Sequence, residues 1–282
     1  MIDLKLIKQE ELKNIKLIAI DIDGTLLDDN KNIPEENIEA IKKATLANIK
    51  IVLSSGRPLA PATIDMYDKL GLLKTGNYFI AYNGESVYDV ISKKAFYTNP
   101  LDKNDVIILD SYFSSLNINF ARYVHLDENV TVVNPNKYSL LEKEYNFKDH
   151  VEGDFLKIKN LGAHKYQIAD EPDIISHLYK NLPKWLKDKY DVVITMPCFL
   201  EVTKKGVNKY NTILKLCNFL GIKENEVMTI GDSMNDYLMI KNCQYGVAMG
   251  NAVSSVKEVS KIITLNNNDC GVSKAIYLCL NN

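Results

Sequence analysis

Ala19-Ile20-Asp21-Ile22-Asp23-Gly24-Thr25-Leu26-Leu27 is the stretch whose reading decides the fold. The run leading into it, Ile15-Lys16-Leu17-Ile18-Ala19-Ile20, is apolar and rich in branched side chains, as a strand buried on both faces should be. It stops abruptly at two carboxylates one residue apart. Side chains at that spacing share a face of a strand unless the chain turns between them, and Gly24 makes such a turn cheap. Two carboxylates at the edge of a buried strand repel each other and are costly to desolvate, so a cation or a proton is needed to offset them. The alternative is a solvated strand end followed by an Asp-Gly turn.

The same pattern recurs outward from this point. Pro34-Glu35-Glu36 reads as the first turn of a helix that runs to Ala47, because proline fits the first helical position and acids favour a helix N-terminus. A second buried strand, 49–53, ends in Ser54-Ser55-Gly56-Arg57-Pro58; after a helix over 59–70, a third strand, 78–82, ends at Asn83-Gly84. Alternating strands and helices predict a parallel sheet with right-handed crossovers, whose active site lies beyond the carboxyl ends of the strands. All three strand ends carry polar residues there. From Glu85 the texture changes to a hairpin over 86–97, a helix over 103–116, short strands at 119–123, 129–133 and 165–169, a helix over 173–182 and a closing hairpin over 192–202. Trp185, beside Pro183, is expected to pack under a loop. After Lys204 the first texture returns, with a helix over 210–220 closed by Gly221 and a strand over 227–230 that ends at Gly231-Asp232-Ser233-Met234-Asn235-Asp236. The expected architecture is therefore α/β, with a mainly parallel, Rossmann-like core formed by residues 1–84 and 204–282 and an α+β insertion at 85–203.

Composition narrows the function. The 282 residues are comfortable for two domains, and 46% hydrophobic with 25% charged residues is an ordinary globular balance. A net charge of -2 leaves no dominant basic surface, so nucleic acid is not expected as a partner. No apolar run approaches the roughly 18 to 20 residues that span a bilayer. The first ten residues mix both charges with no secretory apolar core, which predicts a cytoplasmic protein. Cys198, Cys217, Cys243, Cys270 and Cys279 are scattered without zinc or redox spacing and are expected to be reduced.

Four strand ends now carry chemistry: Asp21 and Asp23, Ser55 with Arg57, Asn83, and Asp232 with Asp236. Gly206-Val207-Asn208-Lys209 adds a lysine at a helix start, where the helix dipole gives no reason for a cation. Several acids with one lysine and one hydroxyl suit a magnesium-dependent phosphoryl-transfer site, since magnesium takes hard oxygen ligands while cation and hydroxyl hold the phosphate. Over nearly its whole length the chain resembles the haloacid dehalogenase superfamily, and within it the Cof-type sugar phosphatases with a type C2B cap. Asp21-Ile22-Asp23-Gly24-Thr25 matches the first motif, Ser54-Ser55-Gly56-Arg57 the second, Lys209 the third and Gly231-Asp232-Ser233-Met234-Asn235-Asp236 the fourth.

The resemblance implies that Asp21 is the nucleophile that forms an aspartyl-phosphate, and that Asp23 protonates the leaving alcohol and then activates water. It implies Mg2+ held by Asp21, the backbone carbonyl of Asp23 and Asp232, with Asp236 in support. Ser55, Lys209, Gly24 and Gly56 would hold the phosphate, and Asn83, Arg57 and Asn235 are weaker candidates for substrate contact. Arg57 has a plainer alternative, pairing with a nearby acid. Ser55 stands where threonine is more usual, which keeps the hydroxyl. The implied substrate is a small phosphate ester, with a monomer or homodimer acting without nucleic acid or membrane and a cap that opens and closes over the site. Two other readings stay open: transfer of the phosphoryl group to a second sugar, and a phosphometabolite-binding regulator without turnover.

Overall fold

The computed structural model describes residues 3–4, 9–73, 78–127, 129–146, 148–159 and 161–280, so the charged N-terminal run lies largely outside the described residues. The chain divides into two compact units, Met1–Tyr97 with Asn208–Asn282, and Thr98–Val207.

The first unit begins with β1 (Asp3–Leu4), a 3-10 segment at Gln9–Asn14, β2 (Leu17–Ile20), α1 (Glu35–Leu46), β3 (Lys50–Ser54), α2 (Pro61–Lys69), β4 (Tyr78–Ala81), β5 (Ser86–Asp89) and β6 (Ala95–Thr98). The second unit contains β7 (Leu101–Asp102), α3 (Lys103–Ser115), β8 (Ala121–His125), β9 (Val130–Val133), α4 (Ser139–Asn146), β10 (His150–Glu152), β11 (Gly162–Ala163), β12 (Lys165–Ala169), α5 (Pro172–Lys180), α6 (Lys184–Lys189), β13 (Tyr190–Met196) and β14 (Phe199–Lys204). The first unit then resumes with α7 (Lys209–Leu220), β15 (Val227–Gly231), α8 (Tyr237–Asn242), β16 (Tyr245–Ala248), α9 (Ser254–Val259), β17 (Ile262–Ile263) and α10 (Gly271–Tyr277).

Nine strands of the first unit form one sheet in the order β1-β17-β16-β15-β2-β3-β4-β5-β6. From β17 to β4 every pairing is parallel, and β15, β2, β3 and β4 lie side by side at its centre. All of β2 and β15 is buried, which explains why their sequences read as apolar runs with no alternation. On α1, Asn37, Ala40, Ile41 and Ala44 make the buried stripe at helical spacing. Asn37 is a polar member of that stripe because its amide donates to the Leu26 carbonyl at 3.3 Å and accepts from the Ser273 amide at 2.9 Å. It ties α1 to the chain leaving Asp21 and to α10.

The boundary expected between residues 84 and 85 is corrected. β5 pairs antiparallel with β4, from Tyr78 opposite Asp89 to Ala81 opposite Ser86, so the hairpin extends the large sheet and the first unit runs to Tyr97. Alternating residues in a hairpin look the same whichever sheet accepts them, and only the partner strand decides.

In the second unit a six-stranded sheet runs β10-β9-β8-β12-β14-β13, and all its pairings are antiparallel except β10 with β9. Helix α3 starts in a capping box, with the Asp105 amide donating to Asp102 at 3.0 Å and the Asp102 amide donating to Asp105 at 3.2 Å. Its apolar stripe Val106, Leu109 and Phe113 joins Tyr166, Ile168, Leu200 and Val202 of the sheet in one core. Trp185 is not under a loop: it stands on α6, 43% exposed, edge-on to the Tyr112 ring.

Candidate active site

Four neighbouring parallel strands end at the residues that the sequence reading singled out. Asp21 follows β2, Ser55 follows β3, Asn83 lies two residues beyond β4, and Asp232 follows β15. The backbone past β2 makes one wide turn, with the Leu26 amide donating to the Asp21 carbonyl at 3.2 Å and the Leu27 amide to the Ile22 carbonyl at 3.0 Å. Gly24 takes a φ of 76° there, and a Cβ on it would come within 2.7 Å of the Asp232 Oδ2. The position therefore requires glycine twice over, for its dihedral angle and for the closeness of the carboxylate. Turning at Gly24 separates the two acids of the opening stretch.

Asp21 belongs to a group with Asp232 and Asp236, whose carboxylate oxygens lie within 4.8 Å of one another. The Lys209 ammonium donates to Asp21 Oδ1 at 2.5 Å and to Asp236 Oδ1 at 2.7 Å, and it is fully buried. The other oxygen of Asp236 accepts from the Asp232 and Ser233 amides at 3.0 and 3.1 Å, so both of its oxygens are engaged. Asp232 accepts from Thr25 Oγ1 at 2.8 Å and from Ser233 Oγ at 2.9 Å. Lys209 reaches this position because Gly84, at φ 103°, lets the turn after β4 press against the start of α7. A Cβ on Gly84 would sit 2.5 Å from the Asn208 carbonyl, and the Gly84 carbonyl itself accepts from Thr212 Oγ1 at 2.6 Å.

Three carboxylates against one ammonium leave the group two negative charges in excess. Burial, then the charge of Asp236, pushes the Asp21 carboxyl well above the ordinary carboxylate range against the pull of Lys209. Burial and Asp236 likewise raise Asp232 to about 6. Burial alone would lower Lys209, but Asp21 and Asp236 outweigh it and raise its pKa. An excess of hard oxygen donors with displaced pKa values is the donor set that suits a divalent cation, so these residues fit Mg2+.

Asp23 stands apart from the acidic group. Arg57 grips its carboxylate with a fork, Nε to Oδ2 at 2.7 Å and Nη2 to Oδ1 at 2.6 Å, and Lys31 Nζ lies 3.4 Å from Oδ1. Burial would raise Asp23, but the Arg57 hydrogen bonds and charge, with Lys31, hold it below the ordinary value. Of the two sequence alternatives for Arg57, the described geometry shows the acid pairing. Ser55 is buried, with its hydroxyl accepting from the Arg57 amide at 3.2 Å. Asn235 donates to Asn83 Oδ1 at 3.0 Å, and Gly56 packs on the Asn83 side chain, where a Cβ would come to 3.2 Å. Thr25, Ser233, Lys31 and Asn251 received no role from the sequence. Thr25 was within the quoted motif, and its hydroxyl one residue past Gly24 was the available signal. Asn251, which donates to the Gly24 carbonyl at 2.8 Å, lies in Gly246-Val247-Ala248-Met249-Gly250-Asn251-Ala252, a stretch that also resembles the family but points to no role for this side chain.

A parallel sheet that collects carboxylates, a buried lysine and a hydroxyl at its strand ends defines a hydrolase core of the phosphoryl-transfer kind. The sequence profile of the haloacid dehalogenase-like hydrolases matches residues 18–276, and the chain belongs to that family, in its Cof-type branch. YxeH of Bacillus subtilis (strain 168) is 34% identical over 268 residues, covering 93% of this chain and 97% of that protein. The 5-amino-6-(5-phospho-D-ribitylamino)uracil phosphatase YcsE of the same organism is 33% identical over 272 residues, covering 95% and 97%. The crystal structure of a haloacid dehalogenase-like hydrolase from Bacteroides thetaiotaomicron superposes with a TM-score of 0.81 at 30% identity, covering 94% of this chain and 100% of that one.

Proposed function

We propose that the protein is a phosphatase that hydrolyses small phosphorylated metabolites, sugar phosphates among them, through an aspartyl-phosphate on Asp21. The observation that carries this reading is the buried Lys209 bridge between Asp21 and Asp236, with Asp232 beside them. It fixes one carboxylate at a strand end, in a site with charge to hold both a metal and a phosphate. The phosphatase name of YcsE, one of the relatives matched over nearly their full length, supports the reaction class.

In the proposed reaction an oxygen of Asp21 bonds to phosphorus as the ester P–O bond breaks, and the leaving oxygen takes its proton from Asp23. Water then attacks the same phosphorus, giving its proton to Asp23, and inorganic phosphate leaves as the Asp21 carboxylate is restored. Lys209 orients Asp21 through Oδ1 and neutralises phosphate charge, and the Ser55 hydroxyl with the backbone at Gly24 and Gly56 cradles the phosphoryl oxygens. Asp21, the Asp23 carbonyl and Asp232 would hold Mg2+, with Asp236 positioning Lys209 and the Asp232 backbone. When bound, the metal lessens the repulsion between carboxylate and phosphate dianion. We read the second unit, Thr98–Val207, as the cap of type C2B. Among the described residues no helix is long and apolar enough to cross a membrane, and all five cysteines are unpaired, which supports a reducing, cytoplasmic setting.

The test is phosphate release from p-nitrophenyl phosphate and from a panel containing glucose 6-phosphate, fructose 1-phosphate and ribose 5-phosphate. Release is expected with Mg2+, is expected to stop on chelation by EDTA, and is expected to return when Mg2+ is added back. Release that is indifferent to chelation contradicts the metal, and tight ligand binding without release contradicts the enzyme.

A further inference from the structure

The turn that follows Asp21 passes through Gly24, a residue with no side chain to hold its backbone in one conformation. Two asparagines distant in the chain brace it. Asn251 Nδ2 donates to the Gly24 carbonyl at 2.8 Å, and Asn251 Oδ1 accepts from the Asn267 backbone amide at 3.0 Å. A flipped Asn251 amide would face acceptor with acceptor and donor with donor, so one orientation serves. Asn267 is 3% exposed, and its Nδ2 donates to the Leu27 carbonyl at 3.1 Å and to Asp29 Oδ1 at 3.0 Å. The turn is thus held at its middle and at its exit by the loops after β16 and β17, strands that continue the parallel sheet beyond β15.

Planarity of the peptide decides what the Gly24 bond fixes. Carbonyl and following amide point opposite ways across a trans peptide, so holding the Gly24 carbonyl sets the direction of the Thr25 amide. Thr25 Oγ1 in turn donates to Asp232 at 2.8 Å. A rotation of the Gly24–Thr25 peptide plane would move both groups, together with the backbone that the proposed reaction sets against the phosphoryl oxygens.

We infer that Asn251 is a positioning residue for the phosphoryl-binding turn, one that fixes the Gly24–Thr25 peptide plane, with Asn267 as its brace. The inference rests on the phosphatase reading and deepens it. Asn251 exchanges no proton and bonds to no reacting atom. It acts through backbone that stands in place before the phosphoryl group becomes five-coordinate, which is where preorganised donors lower a barrier most. Its loss therefore weakens the transition state more than the bound ester, and by the same factor whatever the leaving group.

The experiment compares wild type with Asn251→Ala, Asn251→Asp and Asn268→Ala on p-nitrophenyl phosphate and on the sugar phosphate of the panel that wild type turns over fastest. Asn251→Asp keeps the acceptor for the Asn267 amide but sets an oxygen against the Gly24 carbonyl. Asn268 is the control, since its side chain bonds to Asp29, accepting from the amide at 3.0 Å and donating to Oδ2 at 2.8 Å. Both Asn251 variants are expected to lower kcat about 10–100-fold, the scale on which a small misplacement acts, by the same factor on both esters and with KM within about threefold. Inhibition by orthovanadate, which takes the five-coordinate shape, is expected to weaken in step with kcat/KM, whereas inhibition by inorganic phosphate changes less than about threefold. A merely structural role would move neither inhibition constant. Both variants are expected to melt within about 4 °C of wild type, as for the loss of one exposed hydrogen bond, and Asn268→Ala to keep kcat within about twofold. If Asn251→Asp does not fold, Asn251→Ala carries the comparison. An unchanged kcat in the Asn251 variants, unequal losses on the two esters, equal weakening of vanadate and phosphate, or as large a loss in Asn268→Ala would each overturn the inference. A wild type that releases phosphate from neither ester instead overturns the phosphatase reading, and the wild-type assays alone distinguish that result.

Discussion

Asp21→Asn is expected to lower the rate of phosphate release by at least about 10⁴-fold, the scale on which removal of a covalent nucleophile acts. The amide has nearly the shape of the carboxylate but is too weak a nucleophile to form the phosphoryl bond. Its oxygen still accepts from Lys209, and Lys209 keeps its 2.7 Å bond to Asp236. The substitution also removes one of three crowded, buried acids, one whose pKa burial and Asp236 push well upward. The folded protein is therefore expected to unfold at the same temperature as wild type or higher. The pairing of lost turnover with retained or increased stability marks a residue kept for chemistry, since a structural carboxylate would lose both. Phosphate release and thermal unfolding on the same preparation check it.

Lys209→Met is expected to do the reverse to stability while also removing activity. Methionine fills a similar volume, but Asp21 and Asp236 lose the cation that both of them face inside the protein. Removing one partner of a buried ion pair typically costs about 3–5 kcal/mol, because the remaining charge is left uncompensated. Set against a total stability of roughly 5–15 kcal/mol, that is a severe loss, about 10 °C or more in the unfolding midpoint for a unit of this size. Denaturant unfolding is expected to show a lower midpoint with an unchanged slope. Adding Asp236→Asn is expected to recover part of the loss, since it withdraws one of the stranded charges. A Lys209→Met protein as stable as wild type would mean that the lysine neutralises nothing in the fold.

The features legible in the sequence are those that short-range pattern carries. The buried strand at 17–20 reads as apolar because both of its faces are covered, and its polar stop reads as a site because nothing in a buried sheet favours paired acids. The same reasoning found Ser55, Asn83 and Asp232, and helix position alone made Lys209 conspicuous. What stayed hidden depends on partners far away in the chain. β5 could be assigned to the first unit only from its register against β4. Thr25 bonds to Asp232, 207 positions on, and no local pattern records that contact. Arg57 is 34 positions from Asp23, and the sequence left it between substrate contact and ion pair until the fork was seen. Helices α4 and α6 are short, 8 and 6 residues, and lie in polar, tyrosine- and lysine-rich stretches, too brief for an apolar period to stand out.

The opening pair of acids is central to the account, which assigns covalent chemistry to Asp21 and proton transfer to Asp23. Borohydride reduction tests that division most directly, because it converts an aspartyl-phosphate to homoserine and leaves a free carboxylate untouched. Wild-type protein, mixed with Mg2+ and its best sugar phosphate and reduced during turnover, is expected to carry homoserine at position 21, by mass spectrometry of the peptide, and nowhere else. Without substrate, none is expected. Homoserine at position 23 or at another acid, or wild-type turnover by Asp21→Asn, would contradict the account.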